Sequence, residues 1–433
     1  MDSRIVIDRV WLSEDGRRIN YDYRATGRAA RFFSGRAPFY ARYDVDLHGV
    51  PESILVIPLL ANLSPIAWFA GVELHATEVD SDFASALRDL LAAFGQHYTG
   101  LWAGEPIDAA RLVNNRIEAQ QSALLFSGGL DSYESLIRHL YESPYLLSVL
   151  GADIEISDTR RWQEFTQFNG EQPMVAEARR LSIESNLRDF YGPEVDLMVG
   201  IGWWGKVQHG MGLLGVCAPL SYKCGFNTLL IASSNTSEVD FGWGSHPRLD
   251  QQVRWAGLRV LHDGYHLRRT DKVANVVGFA EASGEKVKLR VCYSEHRTGY
   301  NCSRCTKCQR TMLAFLLEDA DPGEFGFKVP ENLPRMVLAN FPARGTRMTA
   351  GVRYEWQCLQ DRARTASPSE RLSSLREGAS FLAAFVALDL ETIVDVRPSP
   401  VSVRDRLRLL ATNKFPRAFR TYLAFRNMAG AGK

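Results

Sequence analysis

The stretch LLFSGGLDSYESL, residues 124–136, decides the fold prediction for this chain. Its apolar start is typical of a buried strand, and an amphipathic helical pattern follows, so SGG at 127–129 forms the turn between them. Asp131 and Ser132 then stand in the first helical turn. In α/β sheets, ligands bind beyond the carboxyl ends of the strands, where a helix N-terminus offers unpaired N–H groups. The stretch therefore predicts an anion-binding loop.

The residues of this loop suit phosphate. Two glycines let the backbone approach an anion and arrange its amides as a concave nest, and the serines add hydroxyl donors. No Gly-Lys-Ser/Thr closes the loop, so cleavage of a terminal phosphate by that machinery is not expected. A glycine-rich turn capped by serine, without a ligand, is the alternative. The predicted nucleotide-binding residues are Ser127, Gly128, Gly129, Leu130, Asp131 and Ser132.

Strand-like and helix-like patterns alternate over residues 119–320, which predicts a mostly parallel, doubly wound α/β sheet. The predicted strands are SALLFS, LLSVLGADI, VDLMVGIG and TLLIASS. Residues 1–118 mix strands with one helix and are predicted to be a small α+β domain, and residues 321–433 a mainly helical extension.

Composition narrows the class of protein. A net charge of +1 argues against a dedicated nucleic-acid coat. The first residues, MDSRIVIDRVWLSEDG, lack the pattern of a secretory signal, so a cytoplasmic location is expected. The uncharged run at 53–72 contains Pro58 and Pro65 and is predicted to be a buried strand, turn and helix, with no membrane span.

Four of the seven cysteines lie in one segment with the spacing C-x9-C-x2-C-x2-C. Thiolates at such spacing can close a tetrahedral zinc site, and four protein ligands would make that site structural. An iron–sulfur cluster is the rival, although its usual run has a fourth cysteine after three residues, followed by proline. Unligated buried thiols are a further alternative. The predicted metal ligands are Cys292, Cys302, Cys305 and Cys308.

The SGG-x-DS loop resembles the pyrophosphate loop of the N-type ATP pyrophosphatases. Loop and cysteine site together resemble the 7-cyano-7-deazaguanine synthase family. The segment SSNTSEVDFGWGSHPRLDQ at 233–251 is similar to the substrate loop of that family, and RTDKVANVV at 269–277 is similar to its Thr-Lys helix. The resemblance spans residues 119–320.

The resemblance implies a fold of the adenine nucleotide alpha hydrolase type (HUP type) and a ligase that uses ATP and Mg²⁺. The loop would hold pyrophosphate oxygens while a substrate carboxylate attacks the α-phosphorus. Ammonia or another amine would then displace AMP to give an amide, and a second adenylylation could give a nitrile. Asp131 and Ser132 are the expected catalytic residues of the loop, Asp131 orienting it or approaching the metal.

Lys272 would neutralise charge on the phosphates, or it is a solvated helix lysine. The substrate-loop residues expected from the resemblance are Asp240, Trp243 and His246.

The substrate class stays open at this stage. It is a deazaguanine, or a protein, peptide or sugar carboxylate in a defence or biosynthetic cassette, where a homodimer or a complex with cassette partners is admissible. A tRNA-modifying ATPase and a non-catalytic ATP-binding interaction protein are the alternatives, and nucleic acid is not the favoured partner.

Overall fold

A computed structural model of the chain describes residues 3–200, 202–239, 242–292, 299–341, 347–366, 369–391 and 394–395. These residues form a mixed, mostly parallel sheet of eleven strands with helices around it, which confirms the predicted α/β class. The strands are β1 (Arg4–Leu12), β2 (Arg18–Ala25), β3 (Tyr40–Tyr43), β4 (Glu73–Asp80), β5 (Asp108–Val113), β6 (Gln121–Leu125), β7 (Tyr145–Leu150), β8 (Arg180–Ser185), β9 (Phe226–Ala232), β10 (Arg254–Trp255) and β11 (Leu258–Asp263). Two short strands, β12 (Arg347–Met348) and β13 (Val394–Asp395), pair separately.

The strand order in the large sheet is β10-β11-β9-β6-β7-β8-β3-β2-β1-β4-β5. From β11 to β8 all neighbouring strands run parallel, with β6 at the centre. The strand that precedes the SGG loop is therefore buried between two parallel neighbours, and its carboxyl end opens at the edge where ligands bind in such sheets.

The position predicted for the third parallel strand is wrong. The strand beside β7 is β8, whereas the first three residues of VDLMVGIG belong to a helical turn, Glu194–Leu197. β8 also pairs with β3 in antiparallel fashion, with Ile183 opposite Tyr43. Pairing on both sides satisfies the backbone of this rather polar strand, so tertiary context overrides its weak apolar pattern.

The strands before and after residue 118, where a domain boundary is predicted, belong to one continuous sheet. β3 connects strands β1, β2, β4 and β5 to the parallel half through β8. The main hydrophobic core likewise contains Ile5 and Trp68 together with Leu147 and Leu229. The first 118 residues thus extend the sheet that carries the loop.

The helices surround the sheet. They are α1 (Glu52–Leu55), α2 (Ile57–Ala70), α3 (Ser81–Gly95), α4 (Leu130–Arg138), α5 (Thr159–Gly170), α6 (Pro173–Ala176), α7 (Glu194–Leu197), α8 (His209–Gly215), α9 (Ala218–Cys224), α10 (Pro247–Asp250), α11 (Arg269–Ser283), α12 (Thr306–Leu317), α13 (Leu333–Leu338), α14 (Ala350–Thr365), α15 (Glu370–Ser373) and α16 (Gly378–Val386). A π-helical turn, Trp204–Gln208, precedes α8. Short 3-10 turns lie at Gly27–Phe32 and Leu140–Glu142.

The uncharged run at 53–72 is buried as predicted but begins as helix instead of strand. It forms α1 and α2, and Pro58 lies in the first turn of α2, where its missing N–H costs nothing. Among the described residues, no helix combines the length and apolar character needed to cross a bilayer.

The described part of residues 321–391 is mainly helical. Its helices α14 and α16 share a second hydrophobic core with α4, α11 and α12, which contains Trp356 and Phe385 as well as Leu136 and Val276. The extension therefore packs against α11 and α12, and α11 in turn packs against the loop helix α4. Residues 396–433 of the predicted extension lie outside the described residues.

Candidate nucleotide site and four-cysteine centre

The SGG loop joins β6 to the N-terminus of α4. Gly128 has φ of +69°, a conformation that L side chains rarely adopt. A Cβ atom there would also lie 3.1 Å from Oδ1 of Asn169, so glycine is needed for both reasons. Gly129 is the N-cap of α4, which leaves the first amides of the helix facing the loop.

The two loop serines hold the turn in shape. The Ser132 hydroxyl donates to the Gly129 carbonyl at 3.1 Å and accepts from the Ser127 N–H at 3.3 Å. The hydroxyl oxygens of Ser127 and Ser132 lie 3.3 Å apart. From outside the loop, the N–H of Arg290 donates to the Gly128 carbonyl at 2.8 Å. The loop is thus organised in advance of any ligand.

A cleft of about 170 Å³ lies at the carboxyl ends of the parallel strands and includes the loop. Five of the six predicted nucleotide-binding residues line it, whereas Gly128 is buried behind them. The apolar and aromatic residues of its lining include Leu147, Val149, Trp162 and Phe165. The charged and polar residues include Asp153, His209, Arg269, Arg290 and Lys307.

The sequence interpretation missed these charged lining residues. Arg269 stands three residues before Lys272, at the start of RTDKVANVV, and Lys307 stands between two of the predicted metal ligands. Nothing in their spacing distinguishes them from solvated charges, because the cleft forms from segments far apart in the chain. Arg290, 4 % exposed, illustrates this, since its guanidinium carbon lies 5.3 Å from the ring centre of Phe165 on α5.

Lys272 does not line this cleft, and the alternative of a solvated lysine is wrong because the residue is 2 % exposed. Its Nζ lies 3.0 Å from Oδ1 of Asp131 and donates a second hydrogen bond to the Ser233 carbonyl. Burial by itself would raise the pKa of Asp131, but nearby cations, Lys272 foremost, outweigh it and hold that pKa below its ordinary value. Asp131 is therefore a carboxylate held by lysine.

A buried polar chain extends from Lys272 toward the predicted substrate loop. The Ser233 hydroxyl lies 2.8 Å from Nε2 of His262, and Nδ1 of His262 lies 2.7 Å from Oδ2 of Asp250. The same carboxylate oxygen accepts from the Ser245 hydroxyl at 2.7 Å. Since Asp250 and Ser233 are 0 % exposed, these bonds fix the base of segment 233–251 against β9 and β11.

The two predicted substrate-loop residues that the structure describes lie away from the cleft. Trp243 and His246 line a separate, smaller pocket of about 30 Å³ beside Tyr98 and Lys206. Nε2 of His246 lies 3.0 Å from the Tyr265 hydroxyl. The link to the cleft is His209, which lines the cleft and whose ring centre is 5.5 Å from that of Trp243. Asp240 lies outside the described residues.

The four predicted metal ligands come together. Their sulfur atoms all lie within 4.8 Å of one another, and the pairs Cys302–Cys308 and Cys305–Cys292 are each separated by 3.8 Å. Zn–S bonds of about 2.3 Å in a tetrahedron require sulfurs about 3.8 Å apart, so the cluster could hold a single metal ion such as zinc. A cluster of several iron and sulfide ions would need more space.

The C-terminal extension reaches the edge of the cleft. Glu355 on α14 lies 2.7 Å from Nε of Arg310 and 4.0 Å from Nε of Arg269, as measured from Oε2. Arg269 in turn has Nη1 3.6 Å from Oδ2 of Asp131. A carboxylate from the extension thus neighbours a cation of the loop region.

Comparison of the chain with protein-family models, with curated proteins and with solved structures finds no match. The resemblance to the deazaguanine synthase family therefore rests on the sequence motifs alone.

Proposed function

We propose that this protein is a pyrophosphate-loop ligase that adenylates a carboxylate with ATP. The observation that carries the proposal is the SGG-x-DS loop, which joins a central parallel strand to a helix N-terminus and opens into a cleft lined by both apolar and cationic side chains. Adenine fits the apolar wall around Val149 and Trp162, and phosphates fit the loop amides and the cations Arg269 and Lys307.

The proposed reaction has two steps. A carboxylate oxygen of the substrate attacks the α-phosphorus, the bond from that phosphorus to the β-phosphate oxygen breaks, and pyrophosphate leaves into the loop. Ammonia or another amine then attacks the acyl carbon of the adenylate, AMP leaves, and one proton is released with the amide. Preorganised amides and cations lower the barrier because they stabilise the negative charge that builds up on the leaving pyrophosphate.

Different residues of the chain suit the two implied metals, Mg²⁺ and zinc. Mg²⁺ prefers oxygen ligands and neutralises phosphate charge when bound. The cleft offers the carboxylates of Asp131 and Asp153 for it. We assign zinc to the four cysteines, as a structural ion, because four thiolates leave no open position for a reacting water.

Pyrophosphate release from Mg-ATP tests the proposal. The assay uses the wild-type protein with carboxy-deazaguanine and ammonium and then with peptide and sugar carboxylates, followed by mass spectrometry of the products. A Ser127→Ala, Ser132→Ala double variant is the loop control, and Ser380→Ala, an exposed serine on α16, is the matched substitution outside the site. We expect carboxylate-dependent release that the loop variant loses and the surface variant retains. ATP binding without release for every carboxylate would contradict the ligase and favour the non-catalytic alternative.

A further inference from the structure

The cation expected to neutralise the nucleotide phosphates is Lys272, yet its ammonium group is engaged by Asp131 and by the Ser233 carbonyl. It is also absent from the cleft wall. The cationic residues that do line the cleft are Arg269, Arg290 and Lys307. Of these, Lys307 carries a compact point charge of the kind that binds phosphate in other nucleotide loops.

Lys307 is positioned by the four-cysteine centre. It is the second residue of α12, with Cys305 as the N-cap before it and Cys308 directly after it. Two predicted metal ligands thus bracket the residue, so its backbone cannot move without moving the sulfurs. Its side chain lies in the wall of the cleft that contains Asp131 and Ser132.

The four cysteines come from two arms of the chain, one that contains Cys292 and one that contains Cys302, Cys305 and Cys308. The first arm also contacts the loop. Arg290, two residues before Cys292, donates its backbone N–H to the Gly128 carbonyl at 2.8 Å. Asn301, directly before Cys302, ties the two arms together: its Oδ1 accepts from the Val291 N–H at 2.9 Å, and its Nδ2 donates to the Leu289 carbonyl at 2.7 Å. The cysteine centre therefore braces the phosphate loop.

We propose that Lys307 binds the nucleotide phosphates and that the metal in the four-cysteine centre sets its position, so that metal loading controls nucleotide affinity. This inference rests on the proposed function in one respect, the binding of ATP in the cleft. Neither the loop motif nor the cysteine spacing by itself identifies Lys307 as a phosphate ligand, and neither predicts that nucleotide affinity depends on the metal.

The chain offers a closely matched control. In the segment Cys302-Ser303-Arg304-Cys305-Thr306-Lys307-Cys308, Arg304 and Lys307 occupy the same place in successive C-x2-C units. Arg304 is exposed and is not part of the cleft wall. The variants Lys307→Met and Arg304→Met therefore each remove one positive charge from the residue directly before a ligand cysteine. The variant Lys307→Arg retains the charge.

Binding of Mg-ATP and of adenosine is measured by calorimetry, and bound zinc by atomic emission. We expect Lys307→Met to weaken Mg-ATP at least about tenfold, the effect of one charge-assisted hydrogen bond, and to leave adenosine within about twofold. Arg304→Met should stay within about twofold for both ligands because exposed charges are screened. Lys307→Arg should recover most of the ATP affinity, and all variants should keep their zinc.

Removal of zinc from the wild type by a chelator should weaken Mg-ATP at least as much as Lys307→Met does, and added zinc should restore it. Unchanged ATP affinity in Lys307→Met would overturn this proposal and leave the proposed function standing. Loss of zinc in Lys307→Met together with ATP binding would also overturn it, because the residue would then act only on the metal site. Failure of the wild-type protein to bind ATP would instead refute the proposed function itself.

Discussion

Replacement of Lys272 by methionine should lower the free energy of unfolding by about 3 kcal/mol. The Nζ–Oδ1 distance to Asp131 is 3.0 Å, and only 3 % of the lysine side chain is exposed. At an effective dielectric constant of about 20, two unit charges at that distance attract each other by about 5.5 kcal/mol, part of which offsets their desolvation. Arg269 remains 3.6 Å from the carboxylate in the variant, so the cost lies at the lower end of the range of about 3–5 kcal/mol for broken buried pairs.

The matched control is Arg24→Met, which breaks an ion pair with a shorter distance but greater exposure. Nε of Arg24 lies 2.7 Å from Oδ2 of Asp8, while 74 % of the arginine side chain is exposed. This substitution should cost less than about 1 kcal/mol. Comparison of the two variants therefore tests how burial, and not distance, changes the cost of breaking an ion pair.

Urea unfolding, followed by tryptophan fluorescence and by circular dichroism, gives the free energies when the two transitions coincide. A double-mutant cycle with Asp131→Asn isolates the Lys272–Asp131 term. The double variant should lose less than the sum of the two single losses, because neither charge is left unpaired. Equal destabilisation by Lys272→Met and Arg24→Met would refute the reasoning.

Two further predictions concern pH and backbone strain. A hydrogen bond to Asp263 is the main cause that raises the pKa of His139 above its ordinary 6.5, so its stabilisation is present below that value and is lost as the pH rises through the raised native pKa. The loss of unfolding free energy in His139→Gln should therefore be larger at about pH 5.5 than at about pH 9, and an equal loss at both would contradict this assignment. Gly128→Ala should cost about 1 kcal/mol more than Gly35→Ala, measured by urea unfolding, since both glycines have φ near +70° but only Gly128 would place a Cβ against Asn169. Equal costs would show that the contact with Asn169 is unimportant.

Local patterns located the loop and the cysteine centre correctly. The apolar strand, the two glycines and the helical pattern after them lie within 20 residues, so their order alone specifies β6, the turn and α4. The cysteine spacing likewise determines that three sulfurs can reach one point. Short-range geometry is sufficient in both cases, because residues that are close together in the sequence are also close together in space.

Long-range pairing decided the features that the sequence interpretation missed or misplaced. Strand β8 has a weak apolar pattern. It forms because β7 and β3 pair with its backbone, one on each side. Whether Trp243 and His246 face the cleft depends on how their segment is anchored through Asp250, and no local pattern contains that information.

By itself, the sequence determined an α/β class, a glycine-rich turn between a strand and a helix, and a set of four thiols, since each depends on contacts within a short segment. Only the tertiary structure decided that Lys272 pairs with Asp131, 141 residues away, and that Lys307 lies in the cleft wall. The physical reason is burial: a lysine keeps its charge away from water only where another part of the chain supplies a partner, and that partner is set by the packing of the whole sheet.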